Sequence, residues 1–164
     1  MKNKPFYFIF FAVIVASVLF WGFMFQDSSV TENGQISTPK DDITLTMYHG
    51  EGCMCCVKWA AYLEDHGVTV VDEIVDDLHQ IKREKGVPGQ LSSCHTAIVD
   101  GYVVEGHVPV EDIRRILAEQ PDAIGISVPG MPPNAPGMDI PVSRPYDVLL
   151  FDHDQNISVY NTHK

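Results

Sequence analysis

Basic residues are scarce in this chain. Lys and Arg total 11 against 22 Asp and Glu, a formal net charge of −11, which argues against a nucleic-acid partner. The first 26 residues contain no acid at all, only Lys2 and Lys4, so the other nine cations and all 22 acids lie downstream and sum to −13 there. Also missing are a glycine-rich phosphate loop, a dinucleotide-binding fingerprint and the nucleophile elbow of serine hydrolases. The acids Asp72, Glu73, Asp76 and Asp77 lack EF-hand spacing and read as a solvated face, not a hard-cation site. No internal repeat is present. A length of 164 residues allows one domain of ordinary size plus attachments. Cysteine is rare too, at four; about 120 structured residues can bury a core without disulfide staples, so these cysteines point to chemistry before scaffolding.

What the opening residues do have is an uncharged run. Phe6 to Phe25, FYFIFFAVIVASVLFWGFMF, is twenty residues long, enough at about 1.5 Å per residue to span a hydrocarbon core of about 30 Å. A cleaved signal has a shorter apolar region and small residues before the cut, whereas this run ends Trp21-Gly22-Phe23-Met24-Phe25; the length favours an uncleaved transmembrane anchor. Lys2 and Lys4 before it and Asp27 after it predict a cytoplasmic amino end and an exported remainder. Residues 1–25 are therefore expected to be a membrane anchor or signal segment in the inner membrane. Residues 26–42, QDSSVTENGQISTPKDD, are too polar to fold and read as a flexible linker. Residues 43–164 form the expected folded domain, in the periplasm on either reading of the leader.

That domain alternates strand and helix patterns. Ile43 to Tyr48 reads as a strand, followed by a helix from the cysteine cluster through His66, with Val57, Ala60, Ala61 and Leu63 as its apolar residues and Gly67 after its end. Val68 to Val75 reads as a second strand, and Asp76 or Asp77 caps a short helix through Lys85. Thr96–Val99 and Tyr102–Glu105 flank Asp100-Gly101, a strong hairpin signal. Pro109 to Gln120 is an amphipathic helix with Val110, Ile113, Ile116 and Leu117 on one side. Tyr146–Phe151 and Ile157–Tyr160 read as a last hairpin, expected to pack on the core because an isolated hairpin is marginal. Strand, helix, strand, helix, hairpin, helix is the minimal thioredoxin-like arrangement: an α/β fold with a mixed sheet and flanking helices.

The chemistry concentrates at Cys53-Met54-Cys55-Cys56, where three thiols fall within four residues at a strand-to-helix junction. Helix N-termini lower thiol pKa values, so partial thiolate character is expected there; thiolates bind soft metals and attack disulfides. Cys94, just before the third strand, is expected to face the triplet, bringing four sulfurs to one spot. The plain alternative is two structural disulfides, which the adjacency of Cys55 and Cys56 makes awkward. Cu(I) fits thiolate and thioether donors; the spacing matches neither a zinc site built from two separated pairs nor a ferredoxin. Met131 and Met138, in the loop GMPPNAPGM, are further candidate thioether ligands, with loop packing as the alternative. Met54 is either an exposed spacer or a ligand, and Met47 reads as core. His49, His95 and His107 lie near the cysteines in sequence and are candidate imidazole donors, or else structural histidines. Glu105 either supports His107 or ends a strand in solvent.

Cys-Met-Cys-Cys followed by Val-Lys-Trp, then GVPGQLSSCHTAIVDGYVVEGHVP, GMPPNAPGM and PYDVLLFD, resemble the CopG-like family of exported copper-resistance proteins, long catalogued as a domain of unknown function. The resemblance covers roughly residues 43–160. It implies a thioredoxin-like fold and periplasmic copper handling, with Cu(I), as a multinuclear cluster in one version, held by Cys53, Cys55, Cys56 and Cys94, and with nearby methionine and histidine as additions. It also implies copper-efflux or copper-transfer proteins as partners. Two departures from ordinary thioredoxins count against general disulfide catalysis: the triplet replaces a plain C-x-x-C, and Ser93-Cys94 stands in the region where thioredoxins place a cis-proline. The expected function is sequestration or relay of Cu(I), coupled in one version to thiol redox. The alternative enzyme is a thiol-disulfide oxidoreductase with Cys53 as nucleophile and Cys56 as resolving thiol, and a third reading is an iron–sulfur electron carrier.

Overall fold

The computed structural model describes residues 43–138, 140–142 and 144–164. The expected membrane segment and linker lie outside these residues. No helix among the described residues is long and apolar enough to cross a membrane.

The described chain is a mixed α/β structure with seven strands and three α-helices. In chain order the elements are β1 (Thr44–His49), α1 (Met54–Asp65), β2 (Thr69–Ile74), α2 (Leu78–Glu84), a 3₁₀ turn (Gly89–Leu91), β3 (His95–Val99), β4 (Tyr102–Glu105), α3 (Val110–Glu119), β5 (Gly125–Ser127), β6 (Tyr146–Phe151) and β7 (Ile157–His163). The strands form one sheet in the order β2-β1-β3-β4-β5-β6-β7. β1 runs parallel to β2 and antiparallel to β3, as a βαβ unit joined to a hairpin requires.

Local chemistry explains most boundaries. Asp77 caps α2 by accepting the Gln80 N–H at 2.9 Å. α1 ends with the paired bonds Val68 N–H to Leu63 O (3.1 Å) and Gly67 N–H to Glu64 O (2.9 Å), the Schellman pattern that satisfies its last carbonyls. Asp100 and Gly101 both have positive φ, 46° and 85°, the turn whose twist matches the flanking strands β3 and β4.

Strand periodicity sorts the sheet into two faces. On one, Leu45, Met47, Ala97, Val99, Val104, Ile126 and Val148 form the main core with Trp59 and Leu63 of α1 and Ile113 and Ile116 of α3. On the other, Val103, Leu91 and Phe151 form a smaller cluster with Ile98, Ile124 and Leu149. α2 also lies on this second side, where its Lys82 reaches Thr96 and Glu105.

Two expectations need correction. The inward face of α1 is Cys56, Trp59 and Leu63, while Val57 is 47% exposed and Ala61 is exposed. Side chains at 56, 59 and 63 share a face at 3.6 residues per turn, and Val57 sits about 100° away from Cys56. Glu105 does not end its strand in solvent but is fully buried. The C-terminal hairpin packs on the core as expected, with Val148 buried in the main cluster and Tyr146, Leu150 and Tyr160 against it. It extends the sheet through β5, which pairs parallel with β4 and antiparallel with β6.

Candidate metal centre

The site forms where three segments meet at one end of the central strands. The first is the start of α1. The chain leaves β1, turns through Glu51-Gly52, and enters the helix with Cys53 at the N-cap, whose carbonyl accepts the N–H groups of Cys56 (3.1 Å) and Val57 (3.2 Å). This geometry places Cys53 and Cys56 one turn apart, and they are joined in a disulfide. Cys55 and Cys94 are thiols. Two of the three cysteines expected to have thiolate character at the helix start are thus oxidised in this structure.

The second segment precedes β3. Cys94 points at the triplet, with its sulfur 3.8 Å from that of Cys55, and Cys55 is 3.7 Å from Cys53. The four sulfurs of Cys53, Cys55, Cys56 and Cys94 lie within 4.8 Å of one another. Burial pushes the Cys94 thiol up to about 12, and the neighbouring Cys55 adds to the shift. A bound cation would oppose that shift, because a coordinating thiol is deprotonated.

The third segment follows β4. His107 Nε2 is 3.1 Å from Cys94 Sγ, and its Nδ1 lies 2.7 Å from the carbonyl of Pro136. The carbonyl only accepts, so Nδ1 carries the proton and the Nε2 lone pair faces the sulfur. An outer carbonyl that orients an imidazole in this way is the usual support of a metal-binding histidine. Burial lowers the pKa of His107. His95 is wholly buried, with Nδ1 3.4 Å from Cys94 Sγ. Its ring packs on Trp59 with centroids 4.3 Å apart. Its Nε2 is buried without a hydrogen-bond partner. Burial, followed by the charges of His107 and Lys82, drives its pKa well below the usual histidine range. Cys94, His95 and His107 form a second group of potential donors within 4.8 Å of one another, sharing Cys94 with the four-cysteine group.

Other candidates lie differently. His49 commits one ring nitrogen to Asp72 Oδ1 (2.7 Å) and the other to the Gly50 carbonyl (2.7 Å). Met47 is fully buried in the core and Met54 is 68% exposed. The methionine loop approaches the centre through its backbone: Gly130 O accepts from Ser93 Oγ at 2.6 Å, and Pro136 O holds His107. A Cβ on Gly137 would come within 2.7 Å of Trp59 N, so the loop lies tightly on the first turns of α1. Met131 is 57% exposed and Met138 is half-buried.

Sequence reading offered Glu105 as a support of His107 or as a solvated strand end, and missed its partnership with Lys82. Glu105 is ion-paired with Lys82 and accepts hydrogen bonds from the Ser93 N–H (2.6 Å) and Thr96 Oγ1 (2.8 Å). The available signal was an acid closing the apolar strand YVVE; nothing local marked Lys82.

Fold and site together define a mixed α/β protein with a soft-donor centre of cysteine and histidine. Two solved structures are similar along most of the chain. "Copper resistance protein copG", form 2, is 35% identical with a TM-score of 0.72, the match covering 76% of this chain and 100% of that one. Form 1 is 35% identical with a TM-score of 0.71, covering 75% and 98%. Residues 91–138 match a family model described as a protein of unknown function, DUF411. No curated protein matches. The chain belongs to the CopG copper-resistance family.

Proposed function

We propose that the chain is a copper-binding protein of copper resistance that sequesters or relays Cu(I) through Cys53, Cys55, Cys56 and Cys94, with His107 and His95 as imidazole donors. The observation that carries this reading is the convergence of four sulfurs within 4.8 Å, with the His107 nitrogen directed at one of them. Thiolates and imidazoles are donors suited to Cu(I), and a crowded sulfur set also suits a multinuclear cluster. The β1-α1-β2-α2-β3-β4-α3 order supports a thioredoxin-like reading of the core. The uncharged run at 6–25, preceded by Lys2 and Lys4, supports a periplasmic domain tethered to the inner membrane. Met131 and Met138 are candidate thioethers on the loop that crosses the site, and copper-efflux or copper-transfer proteins are the matching partners.

Anaerobic titration of the reduced chain with Cu(I) against a competing chelator tests this function. Tight binding of one or more copper ions per chain is expected; only weak binding with all four thiols titratable would refute it.

The Cys53–Cys56 disulfide supports redox coupling as a second reading. When the two thiols form this bond they release two protons and two electrons, which reduce two Cu(II) to two Cu(I). The same dithiol could instead reduce a protein disulfide. Insulin reduction no faster than the thiol reagent alone would remove that general activity.

A further inference from the structure

The face of the sheet opposite the main core carries a charge pair that the copper chemistry does not use. Glu105 is fully buried and Lys82 is 5% exposed, and the two are joined in an ion pair. Thr96 completes the group, accepting from Lys82 Nζ at 3.0 Å and donating to Glu105 Oε2 at 2.8 Å. The last partner is backbone: the Ser93 N–H donates to Glu105 Oε1 at 2.6 Å. A buried ion pair gives little net stability over a well-packed apolar substitute, so stability alone is a poor account of this one.

Its placement gives a better account. The carboxylate grips the chain on both sides of Cys94, at the Ser93 amide and at the Thr96 hydroxyl, and it stands two residues before His107. Gly106, between Glu105 and His107, has a φ of +75° and donates its N–H to His95 O at 3.2 Å. A Cβ there would lie 2.6 Å from both Ser93 Oγ and Val128 O. Segments 93–96 and 105–107 are thus fastened to each other around one carboxylate. Cys94 Sγ and His107 Nε2, 3.1 Å apart, sit on the two fastened segments.

We propose that Glu105, anchored by Lys82, is a positioning residue for the metal centre, acting through the Ser93 amide and without touching the metal. This rests on the reading of Cys94 and His107 as copper ligands.

The test uses the full chain, reduced and handled without oxygen, in two double variants. Lys82→Met with Glu105→Gln removes both charges but keeps an oxygen for the Ser93 amide. Lys82→Met with Glu105→Leu removes that oxygen as well. Both lose the ion pair, so a role confined to the ion pair would affect them equally. The Gln variant is expected to bind Cu(I) within about threefold of the unsubstituted chain and the Leu variant at least about tenfold more weakly, the range typical of lost outer-shell support. Without copper, Cys94 of the Leu variant is expected to react faster with iodoacetamide than Cys94 of the Gln variant, as followed by peptide mass spectrometry. Equal copper affinity and equal Cys94 alkylation in the two variants would overturn the proposal. If the unsubstituted chain binds no Cu(I) tightly, the copper reading fails on its own, and the alkylation comparison still decides the positioning. Should the Leu variant not fold, Glu105→Asp keeps the charge but withdraws the carboxylate by one methylene. Weaker binding and faster alkylation are then expected, and unchanged values would overturn the proposal.

Discussion

Cys94 is the residue on which the centre turns. It is the member common to the four-cysteine group and the Cys94-His95-His107 group. Cys94→Ser is therefore expected to weaken Cu(I) binding by at least about tenfold, while His66→Ala leaves it unchanged, because His66 is exposed and bonded to the Tyr62 carbonyl. Chelator competition on both variants checks this. His95 gives a second prediction at the same scale. Its folded pKa is depressed by burial and by the facing charges of His107, Lys82 and His49, and His107 is depressed by burial. Both take up a proton less readily in the copper-free fold than in the unfolded chain, where histidine titrates near pH 6.5. Their contribution is therefore complete above that pH and declines as pH falls toward the depressed folded values. The slope is up to about 1.4 kcal/mol per pH unit for each group. Urea denaturation of the copper-free chain at pH 7 and pH 5.5 should show this loss, with a shallower decline for His95→Phe, which keeps an aromatic ring beside Trp59.

Among the elements, β5 is the joint of the sheet. Gly125 is required there because a Cβ would stand 2.0 Å from Val103 O. Gly125→Ala is expected to cost more than about 3 kcal/mol, since the neighbour is backbone that cannot step aside without breaking the β4–β5 ladder. The urea midpoint reports it. This element also shows where the sequence falls silent. Three residues, Gly-Ile-Ser, are too few for alternation to register, and their strand state depends on β4 and β6 arriving from either side. The β3–β4 hairpin was legible because Asp100-Gly101 specifies its turn locally. The cysteine triplet was legible because three thiols at a helix start have few other uses. Lys82 was not, and Glu105 was legible only as one of two alternatives, because a charged side chain on a short helix or a strand end reads as solvated until its partner across the fold is known.

At the scale of the whole molecule, the proposed copper binding couples to stability. A ligand that binds only the folded state stabilises it by about 2.7 kcal/mol at a free concentration 100 times its Kd. Cu(I) is therefore expected to raise the melting temperature of the reduced chain, and to do so less when Cys53 and Cys56 are joined, because two sulfur donors are then withdrawn. Thermal unfolding under a controlled thiol potential measures the difference. A chain starting at Ile43 should unfold in one cooperative step, given the single sheet that ties β2 through to β7.

The sheet's order has one more consequence. β2 stands at one margin of the sheet, and Val71 and Ile74 on it are 40% and 63% exposed. A strand paired on one side only, as β2 is among the described residues, invites a second molecule to add on and continue the ladder. Between those two residues lie Asp72 and Glu73, and Asp72 is drawn down to His49 at 2.7 Å. Two carboxylates on an open strand repel an incoming copy before its backbone can pair. The acidic character first met as bulk composition thus has a local use, as a guard against self-association.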